Sequence, residues 1–199
     1  MENIHSNLRE LIDRRCLKIS SAPIQLSAGA PSNFYFDCKA VTLDGEGLSL
    51  IAEVFLGEIA TFSEIPLAIG GLTMGADFIT AVVAMKAYER GLPTVRGSIV
   101  RKEPKRHGTM NHVENELPQG TSIVVVDDVI TTGNATKKAC EQFIAAGYRI
   151  VGIIALIDRE QGGRQSLERE FGAPVRAIFT TSDFPRIADR QSISRQEAN

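Results

Sequence analysis

Three cysteines, Cys16, Cys38 and Cys140, are all that this chain of 199 residues carries. Their number is odd and they show no paired metal-ligand spacing, which speaks against a disulfide framework or a zinc module. They read as reduced thiols in a cytosolic, cytoplasmic protein. Long apolar runs are missing too, since none approaches the roughly 20 residues that a membrane span needs. The N-terminus, with Glu2, Arg9, Glu10 and Asp13 among its first residues, lacks the apolar stretch of a signal peptide. Neither sign of charge dominates: a formal net charge of −2 gives no global pull towards nucleic acid or an anionic membrane. There is no internal repeat and no low-complexity stretch. What remains is an ordinary globular composition, 43% hydrophobic and 23% charged, at a length that suits one domain with a small appendage.

Periodicity predicts a helix over residues 2–15, with Ile4, Leu8, Leu11 and Ile12 on one face. A turn holding Gly29, Pro31, Ser32 and Asn33 then leads into a strand with the aromatic run Phe34-Tyr35-Phe36. Further helices are expected over about 45–61, 77–90 and 135–146, the last stopped by Gly147. Strands are expected at 67–69, 94–101, from Ile123 to the acids that follow, and at 149–157. The segment from Arg101 to Leu117 is polar and shows neither helical nor strand period. Alternating strands and helices predict the α/β class, with a mostly parallel, doubly wound sheet. The expected organisation is a single domain over 1–199: an N-terminal part to about residue 40, a core over 41–185, and a polar tail from 186.

The run Ile123-Val124-Val125-Val126-Asp127-Asp128-Val129-Ile130-Thr131-Thr132-Gly133-Asn134-Ala135-Thr136 concentrates the chemistry. Its β-branched start reads as a strand buried on both faces. In an open α/β sheet, ligands bind outside the carboxyl ends of the strands. Thr131 to Thr136 would there present backbone N–H groups, hydroxyls and a helix N-terminus to an anion, which suits a phosphate. Asp127 and Asp128 would repel that phosphate, so their partners are sugar hydroxyls or a hydrated Mg²⁺. Acids beside a phosphate cradle describe a ribose 5-phosphate site.

Two other strand ends converge on the same edge, Gly70-Gly71-Leu72-Thr73-Met74-Gly75 and Asp158-Arg159. The glycines are expected to let the backbone approach a diphosphate, although a tight strand-to-helix turn would need them equally. Arg101-Lys102-Glu103-Pro104-Lys105-Arg106-His107-Gly108 packs four permanent cations and a histidine into eight positions. It reads as a lid that closes over a highly charged anion such as pyrophosphate, in preference to a plain solvated loop.

Residues 123–136 resemble the signature of the type I phosphoribosyltransferases, which bind phosphoribosyl pyrophosphate (PRPP). The pattern Arg101-Lys102-x-x-Lys105-x-His107-Gly108 is similar to the catalytic loop of the orotate-specific members. Ser32-Asn33-Phe34-Tyr35-Phe36-Asp37 and Leu156-Ile157-Asp158-Arg159 also match them, so the resemblance runs from about residue 26 to 165. It implies an Mg²⁺-dependent transfer of ribose 5-phosphate from PRPP to orotate in pyrimidine synthesis. It further implies that Asp127 and Asp128 hold the ribose hydroxyls, and that Val129, Ile130, Thr131, Thr132, Gly133, Asn134 and Ala135 bind PRPP around its 5-phosphate. Arg101, Lys102, Lys105 and His107 would act catalytically on the pyrophosphate, while Thr131, Arg159, Tyr35 and Phe36 would bind orotate. For Phe34-Tyr35-Phe36, packing into the core is the competing expectation. The resemblance also implies an N-terminal hood, a homodimer whose lids reach across the interface, and Mg²⁺ held mainly through PRPP. Ser27 and Met74 stand where some members carry lysine. A PRPP-sensing regulator without catalysis, or a transferase for purines, would share the signature. The first should lack the lid, and the second has no use for Arg159.

Overall fold

The computed structural model describes residues 2–25, 31–92, 95–103 and 112–187. Its elements run α1 (Glu2–Arg15), β1 (Leu17–Ile24), β2 (Ser32–Phe36), α2 (Lys39–Thr42), α3 (Gly45–Ile59), β3 (Ala68–Leu72), α4 (Asp77–Glu89), β4 (Arg96–Val100), β5 (Val113–Glu114), β6 (Ser122–Ile130), α5 (Asn134–Ala145), β7 (Arg149–Asp158), α6 (Gly163–Phe171) and β8 (Val175–Thr180). Six strands form one sheet in the order β5-β4-β3-β6-β7-β8, parallel throughout except for the antiparallel pair β4–β5. The expected α/β class with a mostly parallel, doubly wound sheet is what the chain adopts. β1 and β2 pair antiparallel in a small sheet of their own.

The apolar run of β6 explains its central place. Val124 and Val126 join the core formed with α1, α3 and α4, whereas Ile123 and Val125 join the one under α5 and α6. Side chains alternate across a strand, so a continuous apolar run is stable only with helices on both faces. Burying each such Val or Ile contributes about 1.5–3 kcal/mol. Local signals set the helix starts. Asp44 caps α3, its carboxylate accepting the Gly47 N–H at 3.0 Å, and its other oxygen pairs with Arg15 at 2.9 Å, tying α1 to α3. Gly147, at φ +84°, stops α5 as expected.

Several expectations need correction. The strand expected at 67–69 runs on through Gly70 and Gly71 to Leu72. A Cβ on Gly70 would lie 1.8 Å from the Ser98 carbonyl oxygen, and one on Gly71 2.1 Å from that of Val126. Close strand packing by itself requires these two glycines. The acids also lie inside β6 and not beyond its end, with Asp127 paired opposite Ala155 and Ile130 opposite Asp158. The polar segment 101–117 contains a strand after all, β5. It pairs Ile99 with Glu114 and Val100 with Val113, and the Arg101 N–H donates to the His112 carbonyl at 2.8 Å. Arg186 and Ile187, at the start of the expected tail, still pack: Arg186 pairs with Asp13 at 3.6 Å and Ile187 is buried in the core. Among the described residues, no helix is long and apolar enough to cross a membrane.

Candidate active site

Strand order reverses between β3 and β6: from β3 the chain steps outward to β4, and from β6 it steps the other way to β7 and β8. Such a switch point leaves a crevice outside the carboxyl ends of the two strands. A cleft of about 310 Å³ opens there, lined by Asp127 and Asp128 of β6, every residue from Val129 to Thr136, the β3–α4 turn, Tyr35, Phe36, Lys39, Lys102 and Arg159. A larger hollow of about 890 Å³ lies among α1, α3 and β8, mostly against apolar groups such as Ile4, Val54 and Ile178. It contains none of the acid pair, the phosphate loop or Arg159, so size alone does not mark the site.

Asp127 is only 6% exposed. Its Oδ2 accepts the Thr136 hydroxyl at 2.7 Å and its Oδ1 accepts the Asp128 N–H at 3.0 Å. Burial, then the neighbouring charge of Asp128, pushes its pKa up to about 8. The turn after β3 presses against both acids: a Cβ on Gly75 would sit 2.6 Å from an oxygen of Asp128 and 2.8 Å from one of Asp127. Only glycine lets the backbone come so near.

The loop after β6 delivers the cradle. Gly133 takes φ +84° as the N-cap of α5, a left-handed conformation that a side chain would strain. Among the described residues no side chain caps that helix, and the hydroxyl oxygen of Thr132 is buried without a hydrogen-bond partner. The N–H groups of the first turn of α5 thus remain for an anion at the positive end of the helix dipole.

Arg159 lies 5% exposed at the end of β7. Its Nη2 donates to Ser32 Oγ at 2.8 Å and more weakly to the Phe34 carbonyl at 3.4 Å, and the guanidinium stacks 4.7 Å from the Phe34 ring centroid. It forms no ion pair among the described residues, and its Nε is buried without an acceptor. Desolvation lowers its pKa, as expected for a cation buried without a counter-charge. Tyr35 and Phe36 share the cleft unequally. Tyr35 is 38% exposed, while Phe36 is buried in the core against Phe184, ring centroids 5.0 Å apart. Packing therefore takes most of Phe36, as the competing expectation had it, and leaves one edge on the cleft.

Of the lid cations, Lys102 lines the cleft, and its carbonyl accepts Lys138 Nζ at 2.5 Å. Arg101 lines the adjoining hollow instead and pairs with Glu114 at 2.7 Å. Lys105 and His107 lie outside the described residues. Lys39 escaped the sequence reading, and nothing in the sequence brings it to this edge of the sheet. The bonds of Thr136 to Asp127 and of Arg159 to Ser32 escaped it too, although all four residues stood in the segments singled out.

An acid pair near the carboxyl end of β6, sharing a cleft with the start of α5 at the switch point of a mostly parallel sheet, suits a class of protein that handles sugar phosphates. The comparisons agree and narrow it. Residues 49–174 match the family model described as the phosphoribosyl transferase domain. The chain is 38% identical to the orotate phosphoribosyltransferase of Aquifex aeolicus over 177 residues, covering 88% of this chain and 94% of that protein. It is 41% identical to that of Synechocystis over 164 residues, covering 81% of this chain and 80% of that protein. The crystal structure of Mycobacterium tuberculosis H37Rv orotate phosphoribosyltransferase in complex with PRPP superposes with a TM-score of 0.71 at 27% identity, over 90% of this chain and 98% of that one. The chain belongs to the phosphoribosyltransferase family, and within it to the group of the orotate phosphoribosyltransferases.

Proposed function

We propose that the protein transfers the 5-phosphoribosyl group of PRPP to a ring nitrogen of orotate, forming orotidine 5′-phosphate and releasing pyrophosphate, a step of pyrimidine synthesis in the cytoplasm. The observation that carries the choice of base is Arg159. Its guanidinium is buried at the cleft, has no acidic partner among the described residues, and leaves Nε without an acceptor. A carboxylate on the incoming base supplies that partner in a charge-assisted pair, whereas a neutral purine offers none.

The remaining roles follow from charge. The 5-phosphate sits in the loop from Val129 to Ala135, where the α5 N-terminus and the Thr131 and Thr132 hydroxyls face it. Asp127 and Asp128 accept the ribose hydroxyls and fix the sugar ring. Displacement at the anomeric carbon builds positive charge on the sugar and negative charge on the departing diphosphate. Arg101, Lys102, Lys105 and His107 stabilise the latter, with no protein nucleophile required. Two carboxylates beside a phosphate cradle fit Mg²⁺, a hard cation that keeps much of its water and is held by one or two carboxylates with substrate phosphates. Asp127 and Asp128 would face it, and when bound it neutralises diphosphate charge. The β1–β2 hairpin serves as a hood that brings Tyr35 and Phe36 over the base. Three free, buried thiols suit a reducing compartment.

A homodimer completes the reading. Along α4, Phe78, Ala81, Met85 and Tyr88 recur at helical spacing outside the buried stripe of Ile79, Val83 and Ala87, with Met85 and Tyr88 more than half exposed. A helix apolar on both faces needs cover on both. A second copy supplies it, and because exposed Met74 lies just ahead of α4 and lines the cleft, that copy stands beside the site and its lid can reach across.

The test is turnover with PRPP and Mg²⁺, offering orotate against hypoxanthine, guanine and uracil. Product is expected with orotate alone. Product only with a purine would sink the assignment.

A further inference from the structure

Arg159 is held through both of its neighbours in the chain. Asp158, 1% exposed, accepts the Glu160 N–H at 2.9 Å with one oxygen and pairs with Arg164 at 3.3 Å through the other. Glu160 takes φ +56°, a conformation uncommon for residues other than glycine. One oxygen of its carboxylate, Oε2, accepts three hydrogen bonds: from the Thr181 hydroxyl, from the Ser182 N–H at 3.0 Å and from the Ser182 hydroxyl at 2.8 Å. Thr181 and Ser182 form the turn that follows β8, so the contact spans from the loop after β7 to the end of the next strand. These bonds lower the pKa of Glu160 and keep it charged.

Neither Glu160, Thr181 nor Ser182 lines the cleft. Three donors on one oxygen, with the backbone held left-handed, are more than a surface loop needs for its own sake. What they immobilise is the base of a long side chain that crosses from the end of β7 to the hairpin. Arg159 leaves the backbone between Asp158 and Glu160, its own N–H donating to the Ile130 carbonyl at 2.9 Å, and reaches Ser32 and Phe34 of β2. A flexible base would let the buried guanidinium drift from the place where an anion must meet it.

We infer that Glu160 is a positioning residue for base recognition: tied to the turn after β8, it fixes the backbone from which Arg159 enters the cleft, and through Arg159 it sets the affinity for the carboxylate of the acceptor base. This rests on the proposed orotate reading.

Glu160→Gly suits the left-handed backbone and removes the side chain with its carboxylate. KM for orotate is expected to rise about tenfold while KM for PRPP stays within about twofold. Glu160→Gln, whose amide oxygen still accepts the three hydrogen bonds, restores most of the loss. The double variant Thr181→Val with Ser182→Ala leaves Glu160 in place, removes its two hydroxyl donors while the Ser182 N–H remains, and is expected to raise KM for orotate in the same selective way though by less; it carries the test if Glu160→Gly fails to fold. Equal rises in both KM values, or an unchanged KM for orotate in these variants, would overturn the inference while wild-type turnover of orotate leaves the activity standing. A wild-type enzyme that turns over PRPP with some other base would overturn both.

Discussion

Asp127 shows how much a single residue's surroundings add to its identity. Its place beside Asp128 at a phosphate loop is readable from the chain, and so is a role towards sugar hydroxyls. Its burial and its bond to Thr136 are not, because they depend on how tightly the loop after β6 folds back on the strand. The consequence is a pH dependence with a definite sign. A carboxyl with a folded pKa of about 8, above its unfolded value of 3.8, keeps a proton in the folded chain that the unfolded chain has released. Across that window stability therefore falls as pH rises, and the loss is complete above the folded pKa. Asp127→Asn cannot ionise; its one amide oxygen still accepts from Thr136, while the bond from the Asp128 N–H is lost. It is expected to be more stable than the wild type by a few kcal/mol near pH 8, a gap that closes towards pH 4, while activity drops steeply. Urea denaturation at several pH values checks this, and a gap that does not change with pH would refute it.

At the scale of elements, the loop after β6 was legible from local sequence because it is contiguous: two acids followed by Thr-Thr-Gly keep their meaning wherever the chain goes. Of the proposed lid, Lys105 and His107 lie outside the described residues. β5 was not legible: a two-residue strand has no period to detect, and it forms only because β4 offers it an edge. Its pairing holds Arg101 against His112, and Lys102, next along the chain, lines the cleft. Lys105→Ala should lower kcat by about a hundredfold or more, the usual cost of removing one group aimed at developing charge. The melting temperature should barely move. Near-normal turnover in that variant would rule out a catalytic lid. The glycines of β3 show the opposite failure. Gly-Gly suggested a ligand turn, yet the neighbouring strands claim Gly70 and Gly71, and only Gly75 lies at the acids.

The whole molecule is where the apolar outer face of α4 acquires a purpose. Met85→Glu places a charge in the proposed contact between copies, and desolvating an unpaired carboxylate there is costly. Sedimentation should show the wild type as a dimer and the variant shifted towards monomer, with activity falling in parallel because the lid then loses its neighbouring site. A monomeric wild type, or a dimer unaffected by the charge, would refute this interface.

By itself the sequence determined the α/β class, the mostly parallel sheet, and the acid pair with the small-residue loop that follows it, and it singled out Arg159 as the cation proposed for the carboxylate of the base. All of these live in contiguous stretches, where hydrophobic period and residue chemistry are set by neighbours along the chain. Tertiary structure alone decided the strand order that makes β3 and β6 neighbours, the burial that changes the protonation of Asp127, the demotion of Phe36 to core, and the contact of Arg159 with a hairpin more than a hundred residues away. Each of these depends on which distant surfaces exclude water together, and local pattern does not carry that information.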